Sequence, residues 1–165
     1  MDRLILFRHG KAENESASGD DFDRRLAPRG LRESAEMGET LARLGLIPDV
    51  ALVSPAARAQ ETWAAAQPAF PQARTQLEPE LYNADPGTIL QAAEAAGRGC
   101  GVVMVVGHNP GLQELTVRLL VEGSAAPAVM ARPMRQFPPA AAAVFLIDAN
   151  GRPAFDGLFF PERGG

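Results

Sequence analysis

The chain has 165 residues, of which 46% are hydrophobic and 22% are charged, and its formal net charge at pH 7 is -4. This length and composition predict a single folded domain over residues 1–165 and exclude a disordered or collagen-like chain. The longest apolar stretch, Ala140 to Ile147, has eight residues, whereas a membrane-spanning helix needs roughly twenty. We therefore expect no membrane segment, and the acidic balance with scattered basic residues predicts no nucleic-acid partner.

Cysteine usage and the N-terminal segment indicate the compartment. Cys100 is the single cysteine and cannot form an internal disulfide, which suits a reducing environment. The residues before Arg8 contain no signal-like apolar core. We expect a cytoplasmic protein. The sequence does not predict the oligomeric state.

The first half of the chain alternates short apolar runs with segments of helical periodicity. In chain order these predict a strand at Arg3–Phe7, a polar loop over 11–27, a helix from Leu31 to Ala42, a strand at Asp49–Val53 and a helix ending near Gln67. Ser54-Pro55 precedes the second helix, and this pair predicts a side-chain N-cap followed by proline at the first helical position.

The second half continues this alternation and ends in a hairpin. The predicted elements are a loop over 68–87 with an edge strand at Thr75–Leu77, a helix at Thr88–Ala96, a strand at Gly101–Val106, a helix capped by Asn109-Pro110 and ending near Glu122, a loop over 123–139, and strands at Ala143–Ile147 and Ala154–Phe160. Strands that alternate with helices predict an α/β fold: a three-layer α/β/α sandwich around a mostly parallel central sheet, with a C-terminal antiparallel edge.

The two histidines of the chain, His9 and His108, each follow a predicted buried strand directly. Because ligands of parallel α/β sheets bind outside the carboxyl ends of the strands, we expect both imidazoles at the same edge of the sheet. Arg8 precedes the first histidine, and Arg58 lies one turn into the helix that follows another strand. Two histidines and two guanidiniums that converge in this way suit the binding of a phosphoryl group.

The same four residues indicate covalent catalysis without a cofactor. Guanidiniums neutralise phosphoryl charge in the transition state, and flanking arginines disfavour the imidazolium, which leaves a neutral histidine free to attack phosphorus. The product of this attack is a phosphohistidine intermediate. The sequence contains no P-loop or dinucleotide fingerprint, and arginines beside the histidines would repel a cation, so we expect neither a nucleotide cofactor nor a metal.

Five motifs occur in order along most of the chain. They are Arg8-His9-Gly10-Lys11-Ala12-Glu13, Asp21-x-x-Arg24-x-Leu26-x-x-x-Gly30, Ser54-Pro55-x-x-Arg58-Ala59-x-x-Thr62, Leu81-Tyr82-x-Ala84 and Gly107-His108-Asn109-Pro110. Together they resemble the histidine phosphatase superfamily, also called the phosphoglycerate mutase-like family, and within it the short branch of SixA-type phosphohistidine phosphatases. The resemblance implies a phosphoglycerate mutase-like fold and a phosphatase activity.

The resemblance also implies a role for each residue that matches a motif. His9 would be the nucleophile, Arg8 and Arg58 would bind the phosphate, and His108 would complete the pocket and stabilise the transferring group. Arg24 is a further candidate for binding substrate.

Two of these assignments need further comment. Arg24 could equally form a salt bridge with Asp21 or Asp23. Asn109, directly after the second histidine, is an additional candidate for substrate binding.

The proton donor is sought among Glu78, Glu80 and Asp85, because phosphomonoesterases of the superfamily protonate the leaving oxygen with an acid from this middle segment. Glu80 is the candidate we select. The SixA branch has no obvious acid at this place, which makes chemical sense because a phosphoramidate is intrinsically more labile than an ester. A Glu80 side chain that points elsewhere would therefore favour a substrate with a P–N bond.

The substrate class follows from what the chain lacks. It has none of the long insertions with which mutases and sugar phosphatases enclose small substrates, so we expect a shallow, open site that suits a phosphohistidine-bearing protein. The alternatives are a small-molecule phosphomonoesterase that uses Glu80 as general acid and a phosphate-binding module without turnover.

Overall fold

The computed structural model describes residues 1–162, so the predicted one-domain range 1–165 extends beyond the described residues by three positions. The strands are β1 (Arg3–Arg8), β2 (Val50–Val53), β3 (Arg74–Leu77), β4 (Val102–Gly107), β5 (Ala142–Ile147) and β6 (Pro153–Phe159). The helices are α1 (Pro28–Arg43), α2 (Ala57–Ala66), α3 (Pro86–Ala96), α4 (Gly111–Glu122) and α5 (Pro127–Arg135). Within the described chain, every helix is too short or too polar to span a lipid bilayer.

The strands form one sheet in the order β3-β2-β4-β1-β5-β6. The pairs β3/β2, β2/β4 and β4/β1 are parallel, whereas β5 runs antiparallel to β1 and β6 antiparallel to β5. Helices cover both faces of this sheet. The predicted α/β sandwich with a C-terminal antiparallel edge is confirmed.

The central strands are apolar on both sides because the core has two halves, one on each face of the sheet. In β4, Val103 and Val105 pack with α3 and α4, while Met104 and Val106 pack with α1 and α2. All four side chains are fully buried. This two-sided burial explains why β4 shows no polar alternation in its sequence.

The register of the parallel strands brings their carboxyl ends to one edge. Arg8 at the end of β1 pairs with Gly107 at the end of β4. The ladder continues for one more hydrogen bond, because the His9 amide donates to the Gly107 carbonyl at 3.0 Å, and on the neighbouring strand the Ser54 amide donates to the Val106 carbonyl at 3.0 Å. The chain segments that leave these three strands therefore start side by side.

The predicted caps of α2 and α4 are wrong. The two helices begin at Ala57 and Gly111, after the predicted proline positions, and neither N-cap residue makes a side-chain capping hydrogen bond. The Ser54 hydroxyl accepts from the Ala56 amide at 3.3 Å, ahead of the helix, and lies 2.7 Å from His108 Nε2. The Asn109 side-chain amide donates to the Phe137 carbonyl at 2.9 Å. Tertiary hydrogen bonds have taken the side chains that local propensity assigned to capping.

The predicted loop over 123–139 is also wrong, because it contains α5. Pro127 occupies the start of this helix, where the missing N–H is not needed. The helix packs against α4, and Gln113 Nε2 donates to the Pro133 carbonyl at 2.9 Å. Proline content typical of a loop thus hides a segment whose alanine, methionine and arginine residues favour a helix.

The apolar face of α1 differs from the predicted one at its start. Leu31 is 43% exposed, whereas Gly30, Ser34 and Gly38 are buried. The face is set by close backbone approach, because Gly30 meets the backbone of Lys11 and Gly38 meets that of Ala66.

Gly30→Ala should destabilise the fold. A Cβ at this position would overlap the Lys11 carbonyl oxygen and lie 2.9 Å from the Lys11 amide nitrogen, and these backbone atoms cannot move independently. We expect a loss of about 1–3 kcal/mol in the free energy of unfolding. Gly87→Ala in α3 is the matched control, since its nearest contact is Asp85 Oδ1 at 3.5 Å, and it should be neutral or stabilising. Urea denaturation of both variants checks this, and equal stabilities would contradict it.

Candidate active site

A cavity of about 210 Å³ opens where β1, β2 and β4 end. Six of the predicted site residues line it: Arg8, His9, Arg24, Arg58, His108 and Asn109. Lys11 adds another cation to the wall. Within residues 1–162, the lining includes no carboxylate, so the cavity suits a strongly anionic group.

His9 is held in one orientation and one tautomer. Its side chain is buried, and Nδ1 lies 2.7 Å from the Gly10 carbonyl oxygen. A carbonyl only accepts hydrogen bonds, so Nδ1 must carry the proton. In the neutral ring Nε2 therefore has a free lone pair, as a nucleophile requires.

The protonation state of His9 is set mainly by burial. The pKa of the His9 imidazole is lowered to about 3, mainly by burial, with smaller lowering effects from His108, Arg8 and Arg58 and an opposing effect from the Gly10 hydrogen bond. The flanking arginines, which the sequence predicted to be the cause, have a smaller effect on the pKa than desolvation. The imidazole is neutral throughout the physiological pH range.

His108 lies beside His9 with 5.2 Å between the ring centroids and 57° between the planes. Its Nε2 lies 2.7 Å from the Ser54 hydroxyl oxygen. Burial, followed by the positive charge of Arg58, lowers the pKa of His108 to about 4. Among the described residues, Nδ1 has no hydrogen-bond partner, so this nitrogen is available to an oxygen of a bound ligand.

Two site residues meet at one main-chain carbonyl. Arg8 Nη1 and Asn109 Nδ2 each donate to the Phe137 carbonyl at 2.9 Å. Phe137 is buried in the core two residues after the end of α5, so the position of its carbonyl is fixed. This carbonyl links the end of β1 to the segment after β4.

Arg58 is nearly buried, with 5% of its side chain exposed, and it is held by Asp21. Arg58 Nη1 donates to the Asp21 main-chain carbonyl at 2.7 Å, and Nη2 donates to the Asp21 carboxylate at 3.0 Å. The Tyr82 hydroxyl also donates to this carboxylate, at 2.6 Å. These bonds, that of Tyr82 above all, hold the pKa of Asp21 well below its usual range, so the carboxylate stays ionised.

Arg24 both lines the cavity and forms a salt bridge, the two roles between which the sequence did not decide. It lines the cavity, and its Nε donates to Asp21 Oδ1 at 3.0 Å while Nη1 donates to the Glu13 carbonyl at 2.8 Å. The salt bridge is therefore with Asp21, whereas Asp23 accepts from the Ser18 hydroxyl.

Glu80 does not reach the cavity. It is exposed on a short turn after β3 and lines a separate cleft with Glu78 against α3. The third candidate acid, Asp85, accepts from the Thr88 amide and caps α3. The sequence of this proline-rich segment does not show in which direction each side chain points. Contrary to the prediction, the structure places Glu80 outside the cavity.

Sequence reasoning missed several supporting groups. The buried Thr62 hydroxyl accepts from the Gly10 amide at 2.9 Å and donates to the Arg58 carbonyl at 2.7 Å, which ties the turn after β1 to α2. Ser54, Thr62, Asp21 and Tyr82 all fall inside the recognised motifs, and this was the available signal. The sequence carried no signal for the Phe137 carbonyl, because every residue has a main-chain carbonyl.

The chain is similar in sequence to known proteins over most of its length. Residues 4–97 match the family model of the histidine phosphatase superfamily (branch 1). An uncharacterized protein of Mycobacterium tuberculosis is 33% identical over 141 residues, which cover 85% of this chain and 86% of the relative.

Two solved structures resemble the whole fold. A protein assigned as phosphohistidine phosphatase SixA from Agrobacterium tumefaciens is 31% identical with a TM-score of 0.85, over 97% of this chain and 98% of the other. A protein histidine phosphatase SixA complexed with tungstate is 25% identical with a TM-score of 0.75, over 94% and 95% of the two chains.

Burial of His9 should make stability depend on pH. The pKa of His9 is about 3 in the fold against 6.5 for the free group, so below pH 6.5 only the unfolded chain takes up this proton. Above pH 6.5 the buried neutral His9 does not reduce the free energy of unfolding by proton uptake. As the pH falls from 6.5 toward 3, the free energy of unfolding decreases by about 1.4 kcal/mol per pH unit. His9→Gln should make the decline in unfolding free energy between pH 6 and 5 shallower by about this amount. Urea denaturation at each pH measures it, and an unchanged slope would contradict the burial argument.

Proposed function

Because the chain belongs to the histidine phosphatase superfamily, we propose that it hydrolyses a protein-borne phosphohistidine through a phosphohistidine intermediate on His9. The observation that carries this choice of substrate is the composition of the cavity wall, which presents cations and imidazoles but, along the described chain, no carboxylic acid. An ester needs a proton donor for its leaving oxygen. A P–N bond is more labile and does not depend on such a donor.

In the first step the lone pair of His9 Nε2 attacks phosphorus in line with the leaving group. A P–N bond to His9 forms while the P–N bond of the substrate breaks. The substrate imidazole leaves with the electron pair of the broken bond and takes up a proton from water, which reaches the open cavity. Arg8 and Arg58 bind the non-bridging oxygens and stabilise the charge of the transferring group.

In the second step water attacks the phosphorus of the intermediate. The P–N bond to His9 breaks, its electron pair returns to Nε2, and inorganic phosphate leaves. One proton of the attacking water passes to the solvent, which balances the proton that the leaving imidazole took up in the first step. We assign to His108 Nδ1 the hydrogen bond to an oxygen of the transferring group, with the Ser54 hydroxyl holding the other ring nitrogen. The Gly10 carbonyl keeps His9 in the tautomer that restores the nucleophile.

The size of the cavity supports a substrate that inserts its phosphoryl group only. About 210 Å³ is below the range of roughly 300–1,000 Å³ that encloses small-molecule ligands. A macromolecule can place one phosphorylated side chain in such a site and leave the rest of its mass outside. The similar protein histidine phosphatase SixA complexed with tungstate supports oxyanion binding in this fold, since tungstate has the tetrahedral shape of phosphate.

The activity test compares phosphate release from a phosphohistidine-bearing phosphotransfer protein with release from a simple aryl phosphate. We expect a kcat/KM at least a hundredfold higher for the protein substrate, and His9→Ala should lower it by 10³-fold or more because the covalent route is lost. Rapid acid-free quenching with labelled substrate should detect phosphate on the intact chain but not on His9→Ala. Faster turnover of the ester would contradict the proposed substrate, and binding without release would indicate a phosphate-binding module.

Glu80→Gln tests the proton donor directly. Because Glu80 is exposed and lies outside the cavity, kcat should stay within about twofold of the unsubstituted protein, with an unchanged pH profile, both on the phosphohistidine substrate and on the aryl phosphate, whose leaving oxygen would need the donor. Glu78→Gln, in the same cleft, is the matched control. A tenfold fall in kcat confined to Glu80→Gln would make it the general acid after all.

A further inference from the structure

The Asp21 carboxylate joins three side chains at the rim of the cavity. Its Oδ2 accepts from Arg58 Nη2 and from the Tyr82 hydroxyl, at 3.0 and 2.6 Å. Its Oδ1 accepts from Arg24 Nε at 3.0 Å. Both arginines line the cavity, whereas Asp21 does not, so this carboxylate can act on a bound phosphoryl group only through its neighbours.

We propose that Asp21 is a positioning residue that orients Arg58 and Arg24 toward the phosphoryl group, with Tyr82 holding Asp21 in place. The inference rests on the proposed function in one respect only, namely that the cavity binds a phosphoryl group. The inference does not depend on whether the substrate that carries the phosphoryl group is a phosphohistidine.

The bonds of Arg58 show how the orientation is achieved. A guanidinium has five N–H donors in one plane, and Asp21 takes one from each terminal nitrogen, through its main-chain oxygen and its carboxylate. Arg58 Nε is buried and has no partner within residues 1–162. Asp21 thus engages the terminal nitrogens and leaves the Nε edge for the bidentate contact that a phosphoryl group prefers.

Tyr82 connects Asp21 to the other wall of the cavity. Its ring makes T-shaped contacts with the rings of His108 and Phe22, with 5.6 and 5.1 Å between the centroids. The Arg58 guanidinium lies 6.0 Å from the ring centroid. The hydroxyl is therefore fixed by packing, and it directs the exposed loop residue Asp21 to one place.

A simpler role for Asp21 makes the opposite prediction. If the carboxylate only offset the charge of the arginines, its removal would leave a more positive cavity that binds anions more tightly. If it positions Arg58, its removal frees the guanidinium, and anion binding weakens despite the added positive charge. The direction of the change in oxyanion affinity therefore separates the two roles.

The experiment measures tungstate affinity by calorimetry for the unsubstituted protein, Asp21→Asn and Asp23→Asn. The asparagine side chain has a single acceptor oxygen and could not accept from all three donors, so Asp21→Asn should raise the tungstate Kd at least fivefold. Asp23→Asn removes the same charge from the same loop but touches neither arginine, and its Kd should stay within twofold or decrease. A Kd for Asp21→Asn that is unchanged or lower, or an equal rise in Asp23→Asn, would overturn the proposal.

A second pair of variants guards against loss of folding. Tyr82→Phe keeps every charge and the ring packing but removes the hydroxyl, so it should raise the Kd in the same direction by about two- to fivefold. Asp21→Glu should recover part of the affinity lost in Asp21→Asn. Unchanged binding in a folded Tyr82→Phe would overturn the role of Tyr82.

Kinetics then separate this inference from the proposed function. With whichever phosphorylated substrate the unsubstituted protein turns over, Asp21→Asn should lower kcat more than tenfold while KM changes less, because the oriented guanidinium acts most strongly in the transition state. Slow turnover of phosphohistidine by the unsubstituted protein would refute the substrate and leave the tungstate result standing. Normal kcat in Asp21→Asn would refute the positioning role alone.

Discussion

The parallel pairing of β1 with β4 is the constraint on which the site depends. The register places the ends of the two strands opposite each other, and each strand is followed at once by a histidine. Both imidazoles therefore begin from adjacent points of a rigid sheet and need no long loop to bring them together. A shift of one residue in this register would point one ring toward the core or away from its partner.

The same pairing also determines the chemistry, because it buries what it brings together. His9 and His108 are 7% and 5% exposed, and loss of solvent is the main reason that both rings stay neutral. The arginines supply positive charge around the rings, which lowers both pKa values further. Because the buried histidines are neutral in the fold and take up protons when the chain unfolds, acid lowers the free energy of unfolding. The arrangement of the site therefore costs the fold some stability.

The parts of the molecule predicted well are those in which local pattern and tertiary position agree. Apolar runs predicted the strands, and the position of a histidine that directly follows a strand is fixed by the end of that strand. Prediction failed where a distant partner decided the outcome: Ser54 bonds His108 instead of capping a helix, and Leu31 is exposed because the glycines of α1 set its buried face. For Glu80 the sequence defines the position along the chain but not the direction of the side chain, which depends on how the turn after β3 packs.

Three of the bonds that hold the side chains lining the cavity end on main-chain carbonyls. Gly10 orients His9, Asp21 uses its own carbonyl as well as its carboxylate for Arg58, and Phe137 receives Arg8. No point mutation can delete a carbonyl, so these contacts depend on the backbone path and not on the side chain of the accepting residue. The side chains are restricted for other reasons: a Cβ at Gly10 would lie 2.7 Å from the Gly30 carbonyl oxygen, and the Asp21 carboxylate makes hydrogen bonds of its own. Insertions and deletions are a different matter, since one added residue near any of the three displaces the acceptor itself. Related chains should therefore differ little in the lengths of the segments that carry these three carbonyls.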